Sequence, residues 1–206
     1  GLRLAMPSTL VFDGMDATVG ATFEAACARL SAAGVQMVEI EVPEFAELAH
    51  LNRAGGFTAS ESWAWHARLA ETRGAEYDPR VITRIRRGAA MTAADYIELL
   101  DGRRRWIDAV TRRLAQSNAV AFVLPTVPVV ARKLAELQAS DEVYGSSNLL
   151  ILRNPTLINF LDGCALSVPC HREGDAPVGL MLAAGAGRDH ELLALGAAVE
   201  TVLQVR

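Results

Sequence analysis

The sequence lacks any long apolar run, which excludes several classes of protein. The longest uncharged, mostly apolar stretch covers residues 119–131 and is interrupted by Pro125 and Pro128. A membrane-spanning helix needs about 20 consecutive apolar residues, so we predict no transmembrane segment. No basic stretch followed by an apolar one opens the chain, and we therefore expect no secretory signal and a cytoplasmic location.

Cysteine and histidine are scarce, and their spacing argues against a metal site. Cys27, Cys164 and Cys170 show no C-x-x-C spacing, and the four histidines show no H-x-x-x-H spacing. These spacings identify zinc sites and disulfide frameworks. We predict reduced thiols, no metal and no cofactor. Adjacent residues of an extended segment point to opposite faces, so Cys170 and His171 are interpreted as a core thiol beside an exposed imidazole.

Positive charge is also limited. Lys and Arg total 20 against 24 Asp and Glu, which gives a net charge of −4. Nucleic-acid-binding proteins usually carry a strongly basic face, so no nucleic-acid partner is expected. The run at residues 103–105 is the one exception, but consecutive helical residues are rotated by about 100° and form no single patch.

The order of periodic patterns predicts an α/β protein with a single region over residues 1–206. A strand at Leu2–Pro7, a helix from Ala17 to about Ala33 capped by Asp16, and a strand at residues 36–42 together predict a βαβ unit with parallel strands. Helical spacing then dominates residues 44–117, which we interpret as a helical sub-region.

The second half alternates again between strand and helix patterns. The apolar run at residues 119–124 predicts a strand buried on both faces. We expect an irregular segment over residues 126–144, then a helix over residues 147–161 with Ser146 or Ser147 as its N-cap. Residues 165–168 and 178–183 predict an antiparallel hairpin, and residues 189–203 a final helix that Asp189 caps.

Several short motifs follow one another in an order that resembles a known family. They are the segment Arg153–Cys170, the segment Pro177–Leu182, the turn Leu124-Pro125-Thr126-Val127-Pro128 and the stretch that starts at Tyr77-Asp78-Pro79. Together they resemble the C-terminal part of the amidase signature hydrolases. The resemblance implies a mixed α/β sheet layered between helices, and an enzyme that cleaves carboxamide C–N bonds with a Ser–(cis)Ser–Lys triad.

The residues that the triad requires are not found in this sequence. The family takes its serines from a Gly/Ser-rich segment, and none occurs in the 206 residues. Lys133 is the one lysine, and the family matches place it outside the triad, so a surface role is expected. The segment Gly145-Ser146-Ser147 lacks flanking glycines. We therefore predict no catalytic residue in this chain.

The resemblance does imply substrate-binding positions. Thr126, Thr156, Asn159 and Asp162 fall on segments that approach the family's substrate pocket, where polar groups would orient a substrate. Two of these positions have alternative interpretations that stay open: a turn hydrogen bond for Asn159, and a helix cap before Gly163 for Asp162. For Arg153 we expect an ion pair with a structural role, and contact with an anionic substrate is the alternative.

Two functional hypotheses follow. The first is that the chain is the C-terminal portion of an amidase, with a missing N-terminal catalytic region as its partner and a small amide as substrate. The second is a non-catalytic α/β binding or assembly subunit derived from an amidase. The start at Gly1-Leu2-Arg3-Leu4 without Met favours a cleaved or truncated product. Unpaired sheet edges would then favour association into homo-oligomers.

Overall fold

A computed structural model describes residues 1–204, and contacts divide the chain into two units. The first unit comprises Gly1–Phe45 and the chain from Ile107 onward, and the second comprises Ala46–Trp106. The strands are β1 Arg3–Pro7, β2 Gln36–Ile40, β3 Ala121–Pro125, β4 Cys164–Pro169 and β5 Gly179–Ala184. The helices are α1 Ala17–Ala32, α2 Glu44–Leu51, α3 Gly56–Thr72, α4 Pro79–Arg87, α5 Ala93–Gln116, α6 Leu134–Leu137, α7 Asp141–Phe160 and α8 Asp189–Gln204.

The five strands form one mixed sheet in the order β2-β1-β3-β5-β4. Strand β1 pairs in parallel with β2 and β3, whereas β5 pairs in antiparallel with β3 and β4. The predicted α/β class, the βαβ unit and the C-terminal hairpin are confirmed. Because β4 runs in the same direction as β3, the ends of β1, β3 and β4 and the start of β5 lie at one edge of the sheet.

Helices α1 and α8 cover one face of this sheet. Asp16 begins α1 as predicted: its carboxylate accepts a hydrogen bond from Val19 N at 2.7 Å. The inward residues of α1 and α8 share a core with alternate residues of the strands, among them Leu4, Val123 and Leu182, all fully buried. This alternation is the period-two pattern expected of a strand with two faces.

The opposite face of the sheet carries the intervening residues. Phe122 of β3 is fully buried there, and its ring packs against Phe45 at a centroid distance of 6.0 Å. Every residue of β3 is buried, which confirms the prediction that it is covered on both faces. Arg113 and Glu44 form an ion pair at 2.6 Å, and the Arg113 guanidinium helps to lower the pKa of that carboxyl although burial opposes it.

The second unit is helical. The predicted break at Gly55 and Gly56 is confirmed, because α2 ends at Leu51 and α3 begins at Gly56 with Gly55 as its N-cap. Helix α5 begins with a reciprocal capping box in which Asp95 N donates to Thr92 Oγ1 at 3.1 Å and Thr92 N donates to Asp95 Oδ2 at 2.9 Å, which leaves fewer unsatisfied amides at the helix start. The run at residues 103–105 forms no patch, because Arg103 lies over the Phe57 ring at 5.3 Å while Arg104 pairs with Asp101.

The predicted boundary of α7 is wrong. The helix begins at Asp141, and Ser140 is its N-cap, with Ser140 Oγ accepting from Val143 N at 3.1 Å. Ser146 and Ser147 lie inside the helix, so neither caps it. The segment predicted to be irregular also contains α6. Asp141 and Glu142 in the first turn of α7 interact favourably with the helix dipole. This stabilisation outweighs the low helix propensity of Gly145.

Over residues 1–204, no helix is both long enough and apolar enough to cross a membrane.

Candidate functional site

The loop that follows β3 contains Thr126, the first of the four predicted substrate-binding residues. Thr126 follows Pro125 directly, and its backbone N–H donates to Gly179 O at 2.9 Å. Its hydroxyl lies 2.6 Å from that of Ser167 on β4, so one of the two donates to the other. Thr126 and Ser167 therefore form a pair of hydroxyls that spans β5 at the edge of the sheet where the parallel strands end.

Gly179 makes this hydroxyl pair possible. It lies on β5 between the two hydroxyl-bearing residues, and a Cβ built there would overlap Ser167 Oγ and lie 2.7 Å from Thr126 Oγ1. Any larger residue would push the hydroxyls apart. Ser167 is exposed and Thr126 is half-buried, so the pair keeps hydrogen-bonding capacity on the solvent side. One proton of the pair is not used between them and can be donated to a ligand oxygen.

Helix α7 holds this edge of the sheet through Asn154. The side chain is completely buried, and its Nδ2 donates to Pro125 O at 2.8 Å and to Val11 O at 3.2 Å. A buried amide with both donors satisfied fixes the backbone on each side of it. Asn154 thereby ties the end of β3, next to Thr126, to the loop that follows β1.

Arg153 strengthens the same attachment. Its guanidinium donates to Val11 O at 2.7 Å and also to Asp13 O. Its Nε also donates to Asn154 Oδ1 at 3.1 Å, so the guanidinium binds uncharged carbonyl and amide oxygens, which corrects the prediction of an ion pair. Burial lowers the pKa of Arg153, and the nearby Asp13 charge raises it in part. Backbone oxygens bind the guanidinium in place of a carboxylate because the loop after β1 presents its carbonyl groups to α7.

Asp16 fixes the loop after β3 from the other side. Beyond capping α1, its carboxylate accepts from Val130 N at 2.7 Å, and its own N–H donates to Pro128 O at 2.9 Å. Asp16 and Asn154 together hold the segment from Pro125 to Val130 at both ends. The Pro-Thr-x-Pro turn is therefore a supported loop, which is the arrangement that positions a binding residue well.

Two of the other predicted residues, Thr156 and Asn159, lie in the last turns of α7, and Asp162 follows the end of the helix. Thr156 is half-buried, and Asn159 and Asp162 are exposed. Asp162 has a left-handed backbone with φ 58°, and Gly163 N donates to Ile158 O at 3.1 Å. This is how a helix commonly terminates, so Asp162 has a backbone role at the helix end. Gly163 is required next to it, because a Cβ there would overlap Ala184 O.

The lysine, serine, cysteine and histidine considered above as nucleophiles or bases each have a different environment from the one that nucleophilic catalysis requires. Lys133 and Ser146 are exposed, and Ser146 Oγ donates to Val143 O at 3.2 Å within its own helix. Cys170 Sγ lies 3.5 Å from Val178 O, and burial raises the pKa of its thiol to about 11. His171 is half-buried rather than exposed as predicted, because its Nδ1 accepts from Val178 N at 3.2 Å.

The remaining thiols and acids suggest no metal centre. Burial is the main cause that raises the pKa of Cys27 to about 12, and the Cys170 thiol adds to it. Thiols with raised pKa values are poor nucleophiles and poor metal ligands at neutral pH. Within the part of the chain that the structure describes, no three His, Cys, Asp or Glu side chains are grouped as a metal site would require.

Ser147 gives a first testable expectation. Its hydroxyl is buried and has no hydrogen-bond partner within residues 1–204. Ser147→Ala removes this unsatisfied group from a helix interior, so we expect the free energy of unfolding to stay level or to increase by roughly 0.5–1 kcal/mol. Urea denaturation followed by circular dichroism measures it, with Ser146→Ala as the exposed control. A loss above about 1 kcal/mol for Ser147→Ala would contradict the assignment of an unpaired hydroxyl.

Sequence reasoning missed three residues of this edge: Asn154, Ser167 and Gly179. Asn154 stands at the start of the matched segment Arg153–Cys170, but a buried role for one polar residue of a helix is not visible in a sequence. Ser167 and Gly179 lie 12 positions apart on the two strands of the predicted hairpin, but the strand bounds alone do not give the register that brings them together. Gly179 falls directly after Pro177-Val178 at a strand start, and a glycine inside a strand pattern signals close approach of neighbours.

Comparison with known proteins identifies the family of the chain. The Amidase family model matches residues 1–193. The chain is 29% identical over 210 residues to the 2-amino-5-chloromuconic acid deaminase of Comamonas testosteroni, covering 98% of this chain and 44% of that protein. It is 29% identical over 231 residues to the indoleacetamide hydrolase of Agrobacterium vitis, covering 100% of this chain and 48% of that protein.

Solved structures support the same fold. The allophanate hydrolase of Kluyveromyces lactis superposes with a TM-score of 0.80 at 23% identity, covering 100% of this chain and 33% of the other. The chain spans less than half the length of the two curated relatives named above. The family match over residues 1–193 includes all five strands of the sheet, the Pro-Thr-x-Pro turn and Asn154. The chain belongs to the Amidase family.

Proposed function

We propose that this chain is the C-terminal portion of an enzyme that hydrolyses carboxamide C–N bonds, with its Ser–(cis)Ser–Lys triad outside these 206 residues. The observation that carries the proposal is the hydroxyl pair of Thr126 and Ser167, which lies where the parallel strands end. The family match over residues 1–193 includes both residues. The chain would supply one wall of the pocket while the nucleophile comes from the N-terminal portion.

The proposed role of this wall is to orient the amide. A hydroxyl pair offers one free O–H and several lone pairs, and it can therefore bind either the carbonyl or the N–H side of a carboxamide. Thr156, Asn159 and Asp162 are proposed to contribute further polar groups at the end of α7. Positioning of this kind lowers the barrier by holding the scissile carbon close to the nucleophile.

Location and partners belong to the same proposal. All three cysteines are free thiols, which is the usual state in the cytoplasm, and we place the enzyme there. Its partner is the N-terminal catalytic portion, and its substrate is a small amide. Simple amides, a glutamine donor and urea-derived amides are the classes to assay, because the loops that determine specificity vary on a constant fold.

The proposal is tested by fusing this chain to the N-terminal portion of the Comamonas testosteroni relative. We expect the fusion to hydrolyse at least one amide of a panel, and Thr126→Val to lower its kcat/KM by about 10–100-fold through loss of one hydrogen bond to the amide. Thr201→Val is the matched control, because Thr201 is an exposed residue of α8 that donates to Ala197 O.

Equal kcat/KM values for the Thr126→Val and Thr201→Val fusions would remove Thr126 from the pocket. A fusion that folds but hydrolyses none of the amides would contradict the proposed reaction.

A further inference from the structure

An open groove in the helical unit is lined by aromatic rings and a carboxylate. It lies between α3, the turn that follows α4 and the start of α5, and its volume is about 470 Å³. Trp63 and Tyr96 contribute half-buried rings, Met91 contributes a thioether, and Glu61 contributes an exposed carboxylate. We call these four residues the Glu61 groove. None of them belongs to the edge of the sheet that is proposed to bind the amide.

Glu61 gives the groove a negative charge that nothing in the described chain neutralises. The Tyr96 hydroxyl donates to Glu61 Oε1 at 3.2 Å. Burial raises the pKa of Tyr96 and the hydrogen bond to Glu61 raises it further, so the phenol stays protonated and acts as the donor. Within residues 1–204, Glu61 forms no ion pair. A carboxylate has about four lone-pair sites, so Glu61 can still attract a bound cation.

Close packing holds the two aromatic rings in place. A Cβ built at Gly88 would overlap Ala59 O and lie 2.6 Å from Trp63 Cβ, so the turn after α4 approaches α3 as closely as a glycine allows. The Tyr96 ring packs edge to face against Phe57 at a centroid distance of 5.7 Å. Because these rings are already positioned, a ligand that binds between them loses little free energy to the ordering of side chains.

The face of an aromatic ring is negative and attracts cations, and proteins recognise quaternary ammonium groups with such rings. We propose that the Glu61 groove binds a small, free organic cation of the alkylammonium class. The Glu61 carboxylate is its counter-charge, and the rings of Trp63 and Tyr96 are its walls. A metal cation is not expected, because one carboxylate supplies too few oxygen ligands. The inference is independent of the proposed amide hydrolysis and is tested without it.

Equilibrium dialysis of the 206-residue chain against choline tests the charge of the site. We expect saturable binding, and the neutral alcohol in which carbon replaces the choline nitrogen should bind about tenfold more weakly. Glu61→Gln keeps an acceptor for the Tyr96 hydroxyl but removes the charge, and it should weaken choline binding by about tenfold. Glu71→Gln is the matched control, because Glu71 is exposed on the same helix and does not line the groove. Its affinity for choline should be unchanged.

A second pair of variants tests the aromatic wall. Trp63→Leu removes the ring and should weaken choline binding by about tenfold. Trp65→Leu is its control, because Trp65 lies on the same helix, is 80% exposed and does not line the groove. Trp63→Phe keeps an aromatic face and should retain the affinity to within about threefold, so it replaces the leucine variant if that one does not fold. Circular dichroism establishes that each variant is folded.

Several results would overturn the inference. Absence of saturable choline binding to the folded chain is the first. Equal binding of choline and the neutral alcohol would show a merely apolar groove, and an unchanged affinity in Glu61→Gln would place the choline elsewhere. Sedimentation with phosphatidylcholine vesicles distinguishes a free ion from a lipid headgroup. We expect no binding to the vesicles, and vesicle binding that Glu61→Gln abolishes would assign the groove to a lipid surface instead.

Discussion

The isolated 206-residue chain is expected to hydrolyse no amide above the uncatalysed rate. Its sequence has no Gly/Ser-rich segment, and its one lysine, Lys133, is exposed. The buried Ser147 hydroxyl has no hydrogen-bond partner among the described residues, and Ser146 is bonded within its helix. Loss of a nucleophile alone commonly costs factors of about 10³–10⁶ in kcat, and the backbone donors that would stabilise the oxyanion are expected to be absent as well.

The assay is release of ammonia from benzamide and from glutamine by the purified chain. Turnover that persists through repurification and disappears in Ser146→Ala or Ser147→Ala would contradict the expectation and would move the nucleophile into α7. The same result would also remove the reason for placing the triad in another portion of the polypeptide.

Asn154→Ala is expected to destabilise the first unit by about 2–4 kcal/mol, because it removes the two hydrogen bonds that Asn154 Nδ2 donates and the one that its Oδ1 accepts from Arg153, all at a fully buried side chain. Pro125 O loses this donor, whereas Val11 O keeps the hydrogen bond from the Arg153 guanidinium. The affected acceptors are Pro125 O and Val11 O, which anchor the ends of β3 and of the loop after β1. The melting temperature should decrease by on the order of 10 °C for a chain of this size. Thermal unfolding followed by circular dichroism provides the measurement.

Asn148→Ala is the matched control for this substitution. Asn148 lies on the same helix and is half-buried rather than fully buried. We expect its replacement to change the free energy of unfolding by less than about 0.5 kcal/mol, as is usual away from buried networks. Similar losses for the two variants would mean that Asn154 contributes only through helix propensity and does not fix the edge of the sheet.

Much of the fold could be predicted from the sequence because the signals were local. Asp16 caps α1, Thr92 and Asp95 form the box that begins α5, and the alternating residues of β1 and β2 encode a parallel pair. The two caps depend on residues that are near neighbours in sequence, and such short-range rules carry over directly to the structure. The parallel pair follows from the order strand, helix, strand, because a helical crossover returns the chain in the same direction.

The start of α7 was mispredicted for an equally physical reason. The Ser146-Ser147 pair is a typical N-cap signal, but Ser140 followed by Asp141 and Glu142 offers a better one six residues earlier. The helix continues through Gly145 because its buried face, which includes Asn154 and Ile158, gains more from packing than one glycine costs.

The candidate site was only partly accessible from the sequence. The Pro-Thr turn was identified through its motif, whereas the pairing of Thr126 with Ser167 depends on the register of three strands and on the absence of a side chain at Gly179. Register connects residues that are 41 positions apart, and no pattern within either segment records it. The buried attachment by Asn154 is non-local for the same reason.

The central claim is that this chain is the non-catalytic wall of a composite amidase site, and one measurement tests it most directly. Amide hydrolysis is compared for three proteins. They are the fusion with the Comamonas testosteroni N-terminal portion, the same fusion with the serines of any Gly/Ser-rich segment in that portion changed to alanine, and the fusion with both Ser146→Ala and Ser147→Ala. We predict that the first protein is active, the second is inactive and the third is as active as the first. An active second protein together with an inactive third would contradict the claim, because it would place the nucleophile within these 206 residues.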